Sequence, residues 1–112
     1  MVSLGEFDIV KLHKEFRYIY NKGKNQHSKS VVLFYIPHKG VRKVGFTATK
    51  KIGNAVQRNR AKRRMRALFR EFSPQLQEGS YIFVAKAAIL TTPYKNLQYE
   101  FQKVLTRAKT LT

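Results

Sequence analysis

Between Lys50 and Arg70 the chain carries nine positive charges and no negative one, and this segment restricts the possible folds more than any other. The charges are Lys50, Lys51, Arg58, Arg60, Lys62, Arg63, Arg64, Arg66 and Arg70. Among them Ala61, Met65, Leu68, Phe69 and Phe72 recur at the three- and four-residue spacing of one helical face. Placed on a helical wheel, Lys62, Arg63, Arg66 and Arg70 fall opposite that face, and Arg60 and Arg64 lie on a flank. Arg58 projects nearer the apolar side, where it would brace the helix N-terminus or reach a neighbouring loop. The like charges at Arg58, Lys62, Arg66 and Arg70 are four residues apart and cost about a few tenths of a kcal/mol per pair, which disfavours the isolated helix. Such a helix needs an apolar surface beneath it, and its outer face offers guanidinium forks suited to phosphates.

The whole chain shares that bias. Its 23 Lys and Arg against 6 Asp and Glu give a formal net charge of +17, a field that attracts polyanions and repels itself. Nucleic acid is the favoured counterion and an anionic membrane the rival. No apolar run approaches the roughly 18–20 residues that span a bilayer, and no leader-like segment opens the chain, so a cytoplasmic protein is expected. The absence of Cys agrees with a reducing compartment and removes thiolate metal sites. His13, His27 and His38 have no ligand-like spacing. The six acids, Glu6, Asp8, Glu15, Glu71, Glu78 and Glu100, are too scattered to converge on two metal ions for phosphodiester cleavage. No catalytic residue and no protein-bound metal are assigned.

A chain of 112 residues with 43% apolar content suits one domain with one core. The spacing of Ile9, Leu12, Phe16, Ile19 and Tyr20 predicts a helix from Asp8, its N-cap, to about Asn21, with Gly23 as the stop. Lys24 to Ser30 reads as a loop or short edge strand. Val31 to Ile36, closed by Pro37, and Lys43 to Thr49 read as two strands of an antiparallel hairpin. The basic helix should begin after Asn54 and end near Phe72, before Ser73 and Pro74. A third strand is expected at Tyr81 to Lys86. A last helix follows Pro93, with Leu97, Phe101, Val104, Leu105 and Ala108 on one side and final residues that fray. This order predicts an α+β domain with helices covering one face of the sheet. Gly53 and Asn54 offer a turn and an N-cap whose amides could meet a phosphate, but the spacing is not that of a P-loop.

The stretch KKIGNAVQRNRAKRRMR resembles the signature of the bacterial ribonuclease P protein subunit, centred on Arg58, Asn59 and Arg60. The likeness extends through EFRYIYNKGK, VVLFY, VGFTATKKIGNAV and SYIFVAK. It implies a single domain over residues 1–112 with a mixed sheet, similar to the second domain of ribosomal protein S5, with a left-handed βαβ crossover around the basic helix. It also implies the role of a protein partner, bound one to one, of a catalytic RNA that removes the 5′ leader of precursor tRNA with Mg²⁺ held mainly by RNA. By resemblance, Arg58, Asn59, Arg60, Lys62 and Arg63 contact the catalytic RNA, with Lys50 and Lys51 nearby. Arg66 and Arg70 join that surface through their place on the helix.

Phe16, Tyr20 and Phe34 match the aromatic positions of the family's leader-binding cleft, between the first helix and the sheet. Stacking on unpaired bases and ordinary core packing are both open for them. Three departures stand out: Glu6, Phe7 and Asp8 occupy a stretch that is usually basic, which weakens the case for an RNA contact there. Tyr20 replaces a common Phe, and Lys86 a common Arg. The alternatives are a ribosomal or general RNA-chaperone protein and a protein-only nuclease, the latter without an acidic cluster to support it.

Overall fold

The computed structural model describes residues 6–111. In chain order its elements are β1 (Asp8–Ile9), α1 (His13–Lys22), β2 (Lys24–His27), β3 (Val31–Pro37), β4 (Arg42–Thr47), α2 (Ala55–Phe72), β5 (Gly79–Ala85) and α3 (Tyr94–Arg107). Short 3-10 turns occupy Lys50–Ile52, Ser73–Gln75 and Ala87–Leu90. The strands form one mixed sheet in the order β1-β4-β5-β3-β2, with β4 parallel to β1 and β5, and β3 antiparallel to β5 and β2.

Strand alternation builds the two sides of this sheet. Val31, Leu33 and Tyr35 of β3, Val44 and Phe46 of β4, and Tyr81, Phe83 and Ala85 of β5 join the main core under α2 and α3. Ala61, Met65, Leu68 and Phe69 of α2 and Leu97, Phe101, Val104 and Leu105 of α3 are fully buried against it. Burying the larger of these contributes about 1.5–3 kcal/mol each, which outweighs repulsion of a few tenths per charge pair along α2. On the opposite face Ile82 packs with Ile19 of α1 and with Val10, and Phe16, Tyr20, Phe34, Ile36 and Val84 surround them.

Four expectations change. The β3–β4 hairpin does not form, because β5 lies between the two strands, pairing Leu33 with Phe83 on one side and Phe46 with Phe83 on the other. Tyr81, Ile82 and Phe83 are all fully buried, and a strand apolar on both faces belongs in the middle of a sheet. α2 provides the crossover that the parallel β4–β5 pair requires. Helices cover both faces of the sheet instead of one, since α1 lies opposite α2 and α3.

The first helix starts at His13, with Leu12 as N-cap; Asp8 belongs to β1, paired with Lys43. Phe7 anchors that strand, its ring edge-on to Phe69 and Tyr81 at 5.1 and 5.6 Å, so this stretch serves the core. The last described residues do not fray: Thr110 is buried, its hydroxyl donates to Leu105 O at 2.9 Å, and its carbonyl accepts from Gln77 N at 2.8 Å. The undecided segment Lys24–His27 is an edge strand, β2. The expectation of no leader falls on residues 1–5, outside the described residues. Among the described residues no helix is long and apolar enough to cross a membrane.

Candidate nucleic-acid interface

The basic helix begins in a closed capping box. Asn54 Oδ1 accepts from Gln57 N and Gln57 Oε1 accepts from Asn54 N, both at 2.9 Å. Arg58 donates from Nη1 to Gly53 O at 2.8 Å, so it braces the turn, the first of the two roles its wheel position allowed. Asn59, Arg60, Arg63 and Arg70 are exposed, whereas Lys62 and Arg66 are half-buried. Arg64 is spent on structure: it donates to Ile89 O and Thr92 O, both at 2.8 Å, and ties α2 to the turn before α3. Burial, followed by the charge of Arg60, lowers the Arg64 pKa from its ordinary value.

The four described carboxylates with contacts are engaged elsewhere. Glu15 pairs with Lys43 at 2.7 Å and Glu78 with Arg42 at 3.8 Å; Glu78 also accepts from Gly40 N at 3.0 Å. Glu100 accepts from Ser30 N and Oγ at 3.0 and 2.6 Å. Glu71 accepts from the Tyr94 hydroxyl and, at 2.7 Å, from Gln98 Nε2. Burial and the Glu71 contact push the Tyr94 hydroxyl up to about 12, so it remains a donor at neutral pH. No cation of α2 is in an ion pair among the described residues, and its outer face therefore keeps its full positive field. Among those residues no three His, Cys, Asp or Glu side chains come together as a cage for a metal ion.

On the other side of the sheet Phe16, Tyr20 and Phe34 come together. Ring centroids are 6.3 Å apart for Phe16 and Tyr20 and 5.0 Å for Tyr20 and Phe34, the latter edge to face. All three are half-buried. Tyr20 OH lies 3.3 Å from Thr47 Oγ1, which fixes the ring over β4. Gly45 permits the arrangement: a Cβ there would lie 2.7 Å from both Phe16 Cε1 and Ile82 Cδ1. Glu15, one residue before Phe16, is clamped to the sheet by Lys43.

Lys50 and Lys51 do not lie on α2. They occupy the turn before it and, with Lys86, rim an open cavity of about 620 Å³ at the end of the sheet, floored by Val84 and Ala85. Val84 also packs against the aromatic cluster, so the cluster and this lysine-rimmed end adjoin at that residue. Gly45, Thr47, the Glu15–Lys43 pair and the bracing role of Arg64 were missed from sequence. Only Gly45 carried a local signal, a lone glycine within a strand, which marks close approach of another group.

A mixed sheet with an unpaired basic helix on one face and a half-open aromatic groove on the other defines an RNA-binding domain of the α+β class. The family model described as Ribonuclease P matches residues 5–109. A ribonuclease P protein component from a Nitratiruptor species is 49% identical over 100 residues, covering 89% of this chain and 91% of that one. One from Caldanaerobacter subterraneus is 33% identical over 98 residues, covering 86% and 84%. The solved ribonuclease P protein of Staphylococcus aureus superposes with a TM-score of 0.82 at 26% identity, covering 93% of this chain and 97% of that one. The Thermotoga maritima protein has the same fold, with a TM-score of 0.77 at 20% identity and coverage of 89% and 96%. The chain belongs to the ribonuclease P protein family and is a subunit of the ribonucleoprotein that processes tRNA 5′ ends. The ribosomal and chaperone alternatives fall away.

Proposed function

We propose that this subunit holds a catalytic RNA on the outer face of α2 and the 5′ leader of precursor tRNA in the aromatic groove, while the RNA performs the cleavage. The observation that carries the reading is the segregation of the two surfaces to opposite faces of one sheet. Exposed Asn59, Arg60, Arg63 and Arg70, with Lys62 and Arg66 beside them, present donors to phosphates. Arg58 contributes chiefly by shaping the helix start. Lys50 and Lys51, in the turn before α2 and beside Lys86, extend this surface for the catalytic RNA and would meet the leader backbone where the two RNAs join.

In the groove, one leader base stacks on Phe16 or Phe34 without regard to its identity, as processing of many different leaders requires. Mg²⁺ belongs with the RNA, because the carboxylates of the chain are dispersed and four of the six are held by their own partners. The working complex is one protein with one RNA, in the cytoplasm.

Reconstitution tests this reading. The chain is mixed with a bacterial ribonuclease P RNA at low Mg²⁺, and 5′ maturation of precursor tRNA is followed with and without a leader of several nucleotides. Stimulation of maturation is expected, and its absence would reject the proposal. Phe16→Ala should remove most of the affinity gained from the leader, by about 1–3 kcal/mol if one stacked base is lost, and leave binding of the catalytic RNA intact. Equal loss in both binding assays would argue against two separate surfaces.

A further inference from the structure

The outer face of α3 has no place in the account so far, yet it repeats the chemistry of a nucleic-acid site. Tyr99 is 66% exposed, far more than a tyrosine serving the core. Lys95 and Lys103 lie four residues before and after it, one helical turn to each side along the same face. Lys29, from the turn between β2 and β3, reaches the same place, and the three lysines, Tyr99 and Asn96 line an open cavity of about 480 Å³. The one acid in the lining, Glu100, is turned to Ser30, whose amide and hydroxyl both donate to its Oε1. The cavity therefore carries a net positive charge around an exposed aromatic ring. That combination binds an unpaired nucleotide, its base on the ring and its phosphates on the lysines.

Position in the fold decides which RNA this is. α3 packs beside α2 on the same face of the sheet, and Tyr94 and Gln98 of α3 join Glu71 of α2 across the seam. Those two contacts hold the Glu71 carboxylate in the seam between the helices, away from the Lys95, Tyr99 and Lys103 face. The aromatic groove lies on the opposite face. We infer that Tyr99, Lys95, Lys103 and Lys29 form a second docking site for the catalytic RNA, taking an unpaired nucleotide of the same molecule that α2 binds. This inference rests on the reading of the subunit as a ribozyme partner.

Two measurements on the full chain test it, with a bacterial ribonuclease P RNA as the probe. The double variant Lys95→Gln/Lys103→Gln should bind that RNA more weakly in the absence of substrate, with the slope of log affinity against log salt reduced by about 1.4, or about 0.7 per phosphate on a single strand. The chain has no Trp, so Tyr99→Trp places a single indole at the site; stacking by a base should quench its emission when the RNA is added. All three substitutions are at exposed positions of α3, and an unchanged melting curve shows that the fold is kept.

Arg63→Ala on α2 is the control. If it weakens RNA binding while the α3 variants change neither the salt slope nor the emission, the α3 site is overturned and the α2 reading stands. If neither helix matters, both readings fail. An effect of the α3 variants seen only after precursor tRNA is added would overturn the assignment to the catalytic RNA.

Discussion

Arg63 and Arg64 are neighbours in sequence and should behave in opposite ways when replaced by alanine. Arg64 donates two hydrogen bonds, to Ile89 O and Thr92 O, that fasten α2 to the turn leading into α3. Charge-assisted hydrogen bonds contribute about 1.5–3 kcal/mol each; half-exposure lets water replace part of that, so Arg64→Ala should cost about 2–3 kcal/mol in total. The unfolding entropy of a 112-residue chain is about 0.24 kcal/mol per degree, which converts that loss to a fall in Tm of roughly 8–13 °C. Arg63 points outward and is exposed, so Arg63→Ala should move Tm by no more than about 2 °C. Its effect should instead be on RNA, with the salt slope reduced by about 1 as one phosphate contact is lost. Thermal melts followed by circular dichroism and filter binding across a salt series measure both quantities. An Arg64→Ala protein with a normal Tm and an RNA defect like that of Arg63→Ala would refute the division of α2 into a bracing flank and a docking face.

Asn54→Ala removes the capping box of α2 and should lower stability by about 1 kcal/mol in denaturant titration, with Arg58 still bonded to Gly53 O. Gly45→Ala drives a Cβ against Phe16 and Ile82 and should cost about 1–3 kcal/mol, with loss of the leader's contribution to substrate affinity. Glu15→Gln breaks the bond to Lys43; both side chains are partly exposed, so a loss below about 1 kcal/mol is expected in the same titration. Sulfate or phosphate should raise Tm, because anions that bind the uncompensated folded surface stabilise it by mass action, and a flat response would refute that.

The helices were readable because their apolar spacing and end signals agree with how they pack. α2 starts after its N-cap Asn54 and stops before Ser73, as its cap and its proline require, and its four buried residues are members of the wheel's apolar set. Strand pairing was not readable in the same way. Val31 to Ile36 and Lys43 to Thr49 are joined by a short turn, and proximity in sequence favours a hairpin; the competitor, β5, is more than thirty residues downstream. Its claim on the central place rests on burial of both its faces, a tertiary fact that the short run Tyr81 to Phe83 hints at but does not fix. β1 has two residues and no periodicity to detect. At the site, the cationic positions could be named from type alone, but the difference between Arg63 and Arg64 depends on where α3 begins.

The separation of the two surfaces follows from the sheet itself. Adjacent residues on a strand face opposite ways, so Leu33 and Tyr35 of β3 enter the core under α2 and α3 while Phe34 between them must enter the groove beside α1. The same rule sends Phe83 to one side and Ile82 and Val84 to the other. α2 can bury its apolar stripe only on the first side, because α1 occupies part of the second. Its arginines are then directed away from the groove by the full thickness of a sheet and a helix. No single stretch of duplex can lie on α2 and enter the groove without bending around the edge of the domain. A strand in the groove that reaches the Lys50, Lys51 and Lys86 end, where the sheet stops and the turn into α2 begins, has the shortest route between the two faces. On the proposed reading, that turn is where an RNA on the helix and a leader in the groove would come closest together.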